Sequence, residues 1–150
     1  MTSNVSQKAE TERALNRLQL QFPARPEYLV LGRLVLTGLS RAQPMEDDTL
    51  SDLKLALTEA CSNSVRHAYT AGKPGAVNVE YELGEGYLAV QIEDEGPGFD
   101  PDSAGKAFDP DTLDEGGLGL AIIRAVSDEC EVRPGREGRG SCLRFVRRLP

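Results

Sequence analysis

The chain has 150 residues, the length of one domain with a sizeable hydrophobic core. It carries 24 acidic and 17 basic residues, a net charge of −7, which argues against nucleic-acid binding because that function calls for a basic surface. Residues 133–150 differ from this average, with six arginines and one glutamate. We interpret them as the solvated face of an edge strand, and contact with an acidic partner is the alternative.

The three cysteines, Cys61, Cys130 and Cys142, are an odd number and lack C-x-x-C spacing. This pattern favours small buried hydrophobic residues in a reducing compartment. No signal-like apolar segment occurs in residues 1–13, and no apolar run approaches the ~18 residues that a membrane span needs. We therefore expect a cytoplasmic protein with no membrane and no direct nucleic-acid contact.

The first quarter of the chain predicts a tail, a strand and a helix. Polar composition over residues 1–14 is typical of a flexible tail. Apolar residues then alternate through a predicted strand over 15–22. Pro26 opens a helix to about Arg41, because proline is favoured in the first helical turn.

A longer helix is predicted over residues 49–69, with Thr49 or Ser51 as its N-cap. Glu59 and Asn63 are four residues apart beside its apolar stripe, so their side chains are neighbours. A carboxylate beside an amide oxygen suits a hydrated Mg²⁺ and an in-line phosphoryl transfer. A solvated Glu–Asn pair is the alternative, and the adjacent apolar stripe argues against it.

A β-hairpin is predicted from residues 77–83 and 87–94, joined by a short glycine turn. Alternation in its second strand places Asp94 on the apolar face. Burying that carboxylate unpaired costs several kcal/mol, so it needs a partner, and a base with an exocyclic amine would satisfy it. Gly96 and Gly98 leave room for a flat ring, although an ordinary Gly-Pro-Gly turn is the alternative.

The loop over residues 95–115 is long for a compact domain, which indicates a functional segment. The cluster Gly116-Gly117-Leu118-Gly119 follows and leads into an apolar helix that ends near Val126. Glycines before a helix let backbone N–H groups approach an anion at its N-terminus. Residues 130–133 and 141–149 form a last predicted hairpin. Together these elements predict an α/β fold, a two-layer α/β sandwich of a mixed sheet with helices on one face.

Three patterns occur in the order of the N, G1 and G2 boxes of the GHKL, or histidine-kinase-like, ATPase superfamily. They are Glu59-x-x-x-Asn63, Asp94-x-Gly96-x-Gly98 and Gly117-x-Gly119. Within that superfamily the chain resembles the anti-sigma factor serine/threonine kinases over about residues 15–149. The resemblance implies the Bergerat fold, with an ATP lid over about residues 95–116.

The resemblance also implies a role for each matched residue. Glu59 would be the catalytic base, and Asn63 would ligate Mg²⁺. Asp94 would bind the adenine amine of ATP, with Gly96 and Gly98 bordering the base. Gly117 and Gly119 would contact the phosphates. Some family members carry an arginine just before the last glycine box, where this chain has Glu115, so Lys106 in the lid and Arg66 are the candidates for the missing positive charge.

The implied partners are a sigma factor and its anti-anti-sigma antagonist of the STAS type, and a homodimer is expected. In that function the chain would sequester the sigma factor and phosphorylate the antagonist. Two alternatives remain. One is the detached ATP-binding domain of a sensor histidine kinase, whose acceptor histidine would lie on another molecule. The other is a nucleotide-binding regulator without turnover, which the acidic lid favours.

Overall fold

A computed structural model describes residues 16–69, 75–94, 115–135 and 140–150. Between the first two strands lie a 3₁₀ turn over Pro26–Tyr28 and two helices. A third helix precedes the last two strands. In chain order the elements are β1 Arg17–Pro23, α1 Leu29–Ala42, α2 Asp47–Tyr69, β2 Ala76–Gly84, β3 Tyr87–Asp94, α3 Glu115–Val126, β4 Glu129–Pro134 and β5 Ser141–Arg148. The predicted tail over residues 1–14 lies outside the described residues.

The five described strands form one sheet in the order β1-β2-β3-β5-β4. Every pairing between them is antiparallel, so the predicted mixed sheet is wrong in this respect. Two helices lie between β1 and β2, so the chain reverses direction three times, and this odd number leaves β2 antiparallel to β1. The single helix before β4 makes β4 run in the direction of β3, but β5 lies between them and pairs antiparallel with both.

The basic C-terminal segment is not an edge strand as predicted, because β5 lies inside the sheet and β4 is the edge. Its Arg144 lies on the sheet face opposite the helices, 3.9 Å from Glu82, which also pairs with Arg17 at 3.3 Å. Exposed ion pairs of this kind contribute about 0–1 kcal/mol each. They keep the outer face of the sheet charged and solvated, which opposes aggregation.

The helices pack on the other face of the sheet, and this confirms the two-layer α/β sandwich. Strand residues at alternate positions, such as Val79, Val90 and Phe145, are fully buried there against leucines and alanines of the helices. Tyr81 also lies in this layer and donates its hydroxyl to the carbonyl oxygen of Gly32 in α1 at 2.9 Å. That bond ties the first helix to the middle of the sheet.

Two helix starts differ from the sequence-based predictions. Helix α2 begins at Asp47, so neither Thr49 nor Ser51 is its N-cap. The acidic Asp47 and Asp48 occupy its first turn, where negative charge is favourable near the positive end of the helix dipole. Helix α3 begins at Glu115, so the glycine cluster lies within the helix rather than before it.

In the part of the chain that is described, no helix is both long enough and apolar enough to cross a bilayer. All three cysteines are free, and Cys61 and Cys142 are buried as predicted, whereas Cys130 is half-buried. Burial raises the pKa of the Cys61 thiol to about 12.

We expect Cys61 to resist alkylation in the folded protein. With its pKa raised to about 12, its thiolate fraction at pH 8 falls about a thousandfold below that of an ordinary cysteine. Peptide mapping by mass spectrometry after a timed iodoacetamide pulse would measure the reaction. All three cysteines should react at similar rates in guanidinium chloride, and fast labelling of Cys61 in the native protein would contradict its burial.

Candidate functional site

Asp94, the last residue of β3, lies on the helix-facing side of the sheet and is 2% exposed. This confirms the prediction that it points inward. One partner of its carboxylate is Ser141, the first residue of β5. The Ser141 backbone N–H donates to Oδ1 at 3.2 Å, and its hydroxyl donates to Oδ2 at 2.8 Å. Both carboxylate oxygens are therefore held by one residue, which fixes the orientation of the carboxylate plane.

Gly140 makes this contact possible. Its φ is +69°, a conformation that favours glycine, and a Cβ there would overlap the backbone carbonyl of Asp94. Neither Gly140 nor Ser141 was predicted from the sequence as a site residue. Their signal is the Gly-Ser pair at the start of a strand, but it becomes interpretable only once β5 is known to pair with β3.

Glu59 and Asn63 come together with Gly119 where α2 packs against α3. A Cβ on Gly119 would lie 3.0 Å from Glu59 Oε2 and 3.5 Å from Asn63 Nδ2. The absence of a side chain at Gly119 therefore lets the start of α3 approach both polar groups. The two side chains are half-buried, so they are partly shielded from water while open on one side.

Arg66 extends this cluster toward the surface. Its Nη2 donates to Asn63 Oδ1 at 2.9 Å, and the side chain is exposed. An amide oxygen has two lone pairs, so Asn63 Oδ1 can accept from Arg66 and still offer one lone pair to a cation. The cluster thus combines a carboxylate, an amide oxygen and a guanidinium along about two turns of helix.

The donor set fits a nucleotide with Mg²⁺. Among the described residues, no group of three or more His, Cys, Asp or Glu side chains could hold a metal ion. Mg²⁺ in nucleotide sites is bound by one or two protein oxygens together with phosphates, for which Asn63 beside Glu59 is suited. Gly117 lies in the first turn of α3, where backbone N–H groups lack helical partners and attract anions.

Three predicted site residues, Gly96, Gly98 and Lys106, lie outside the described residues. So does the predicted lid over about residues 95–116, except that residues 115 and 116 belong to α3. The described residues form two groups on the helix side of the sheet. One is Asp94 with Ser141, suited to a hydrogen-bonding base, and the other is the Glu59, Asn63 and Gly119 cluster, suited to phosphate and metal.

Comparison with known proteins identifies the family of the chain. The family model of the histidine kinase-like ATPase domain matches residues 22–147. The chain belongs to this family. Over 144 residues it is 35% identical to the serine-protein kinase RsbW of Bacillus licheniformis, covering 91% of this chain and 90% of the relative. The serine-protein kinase RsbW of Bacillus subtilis strain 168 is 37% identical over 123 residues, 77% of each chain.

A solved structure shares the fold of this ATPase-family chain. A chain of the SiaB–SiaC complex from Pseudomonas aeruginosa has a TM-score of 0.66 at 19% identity, covering 97% of this chain and 98% of that one. At this identity the likeness concerns the fold alone. Family membership makes ATP the expected ligand class of the site.

Replacing Asp94 by asparagine should weaken adenine nucleotides. The amide presents a donor where the exocyclic amine needs an acceptor, at a cost of about 1–3 kcal/mol, or roughly 5- to 150-fold in Kd. Isothermal titration calorimetry with ATP and ADP would measure this. Ser141→Ala should act in the same direction with a smaller effect, and Ser141→Thr should retain affinity. Unchanged ATP affinity in Asp94→Asn would contradict the assignment.

Proposed function

We propose that this chain is an ATP-dependent protein serine/threonine kinase that acts as an anti-sigma factor. It sequesters a sigma factor and phosphorylates the STAS-type antagonist that would release it. The observation that carries this proposal is the close approach of Gly119 to Glu59 and Asn63, which gathers base, metal ligand and helix N-terminus at one point. The similarity to serine-protein kinases over nine-tenths of both chains favours a protein hydroxyl as the acceptor.

In this reaction each of the proposed site residues has one role. ATP bound with Mg²⁺ supplies the γ-phosphoryl group. Asp94, oriented by Ser141, would accept a hydrogen bond from the adenine amine, and Asn63 would ligate Mg²⁺. Glu59 accepts the proton of the serine or threonine hydroxyl as its oxygen bonds to phosphorus. The bond to the ADP oxygen breaks as that new bond forms.

Phosphoryl transfer also needs positive charge near the terminal phosphate. Glu115 stands at the first position of α3, so this position supplies no cation. Arg66 is one turn from Asn63 and already hydrogen-bonded to it, which brings a guanidinium to the metal-binding end of the cluster. We assign Arg66 the role of supplying positive charge near the terminal phosphate, a role that Lys106 in the predicted lid would share.

In this proposal the protein is a homodimer and acts in the cytoplasm. Strand β1 is an edge of the described sheet, and pairing with a second copy would satisfy its outward backbone groups. Leu18 on this strand is 44% exposed, which is unusual for a leucine on the helix-facing side of a sheet. A second β1 would cover both the edge and this side chain.

A regulator that binds nucleotide without turnover is the second candidate, favoured by Glu115 in place of a cationic residue. Both candidates bind ATP, so nucleotide affinity does not separate them. Transfer of labelled γ-phosphate to a partner protein does, because only the kinase performs it. A histidine kinase domain would instead give a phosphohistidine, which is acid-labile whereas phosphoserine is acid-stable.

Glu59→Gln should separate chemistry from binding. The amide keeps the shape that packs against Gly119 but cannot accept the proton, and a positioned base contributes about 10²–10⁴-fold in rate. Single-turnover transfer to the antagonist should fall by about that factor, while ATP affinity and sigma-factor capture stay at parental levels.

Asn63→Ala is the matched comparison and should lose Mg²⁺-dependent ATP binding as well as transfer. Glu59→Ala should behave as Glu59→Gln. Transfer at the parental rate in the Glu59 variants would exclude the proposed base. Absence of transfer in the parent itself, with ATP bound, would favour the regulator without turnover.

Light scattering at micromolar concentration should give twice the 16.3 kDa protomer mass. Leu18→Lys should shift the protein toward monomer, because the charge would be buried against the second copy. Gln19→Lys, which adds the same charge on the opposite face of β1, should remain dimeric. A monomeric parent would refute the dimer without affecting the kinase assignment.

A further inference from the structure

Arg147 lies at the end of β5 on the helix side of the sheet, between α2 and α3. Its Nη1 donates to the backbone carbonyl oxygen of Val126, the last residue of α3, at 2.7 Å. Its Nη2 lies 3.5 Å from Asp52 Oδ2 in α2. One guanidinium therefore joins the C-terminal end of α3 to the N-terminal part of α2. We call these three groups the Arg147 clasp.

The clasp joins the same two helices as the cluster of Glu59, Asn63 and Gly119, but at the other end of their contact. Along α2, Glu59 is seven residues beyond Asp52. Along α3, Gly119 is seven residues before Val126. The two helices are antiparallel at this contact, and both intervals correspond to about 10 Å of helix. The clasp and the cluster are thus two fixed points of one helix–helix contact.

The geometry of the cluster depends on the position of α3. A Cβ on Gly119 would lie 3.0 Å from Glu59 Oε2, so the two helices approach closely here, and a slide or rotation of α3 changes the distance to both polar side chains. A hydrogen bond to the last carbonyl of α3 restricts both its slide and its rotation, and the positive charge is favourable at that end of the helix dipole.

We propose that Arg147 is a positioning residue for the phosphate subsite. Through the clasp it holds the first turn of α3 against Glu59 and Asn63, although it touches neither of them. This inference rests on the proposed function for the identity of the ligand. A half-exposed ion pair contributes little to stability, so loss of the clasp affects alignment more than folding.

Arg147→Met tests the proposal, because it keeps the aliphatic stem and removes the guanidinium. Binding of ATP with Mg²⁺ should weaken about tenfold, a coupling of ordinary size for groups that act through one contact. Binding of adenosine, which uses Asp94 and not the phosphate subsite, should stay within about twofold of the parent. General destabilisation would not separate the two ligands in this way.

Three further variants sharpen the test. Asp52→Asn should weaken ATP in the same direction, and combining it with Arg147→Met should give less than the product of the two effects. Arg147→Lys should rescue part of the ATP affinity, since one ammonium can still reach the Val126 carbonyl. Arg148→Met removes the same charge from the outer face of the same strand and should match the parent.

Hydrogen exchange without nucleotide gives a readout independent of ligand. In Arg147→Met the amides of α3 should exchange faster while those of β2 are unchanged. Parental exchange in α3, parental ATP affinity, or equal losses for ATP and adenosine would each overturn the proposal. If the parent binds ATP but transfers no phosphate, only the kinase assignment fails, and the comparison of ATP with adenosine still decides the role of Arg147.

Discussion

The Asp94 carboxylate is buried at the end of β3, under the helix layer. A buried carboxylate needs donors, and among the described residues Ser141 supplies two of them. That is possible because β5 runs antiparallel beside β3, so the start of one strand meets the end of the other. The position of β5 inside the sheet, rather than at its edge, therefore allows Ser141 to donate hydrogen bonds to Asp94.

A second constraint acts between the helices. Glycine inside a helix costs about 1 kcal/mol relative to alanine, and α3 has three glycines in its first five residues. At Gly119 the cost is offset by a close approach of the two helices, since a Cβ there would lie only 3.0 Å from Glu59 Oε2. Such a conflict between local preference and tertiary packing is expected at functional sites.

Much of this fold follows from local patterns. Strand β3 was predicted with its observed bounds because apolar alternation and a glycine turn define it, and Asp94 was predicted to point inward for the same reason. The glycine cluster was predicted to precede the helix, whereas it lies within it. Glycine propensity is a local quantity, and the helix there depends on packing against α2. Ser141 was missed because its role depends on strand pairing across 47 residues, which no local pattern encodes.

Strand β5 links the two halves of the site. Ser141 at its start orients the carboxylate of Asp94, and Arg147 near its end contacts both helices that carry Glu59, Asn63 and Gly119. The two residues are six positions apart, about 20 Å along a strand. They face the same side of the sheet because six is an even number in a structure with a period of two. The arginines of the C-terminal segment therefore have different roles on the two faces of the sheet. Arg144 pairs with Glu82 on the solvated side, whereas Arg147 faces the helices, where its charge is placed at the carbonyl end of α3. A strand inside the sheet, hydrogen-bonded on both sides, is a rigid support for both tasks, and an edge strand would be a poorer one because half of its backbone groups lack partners.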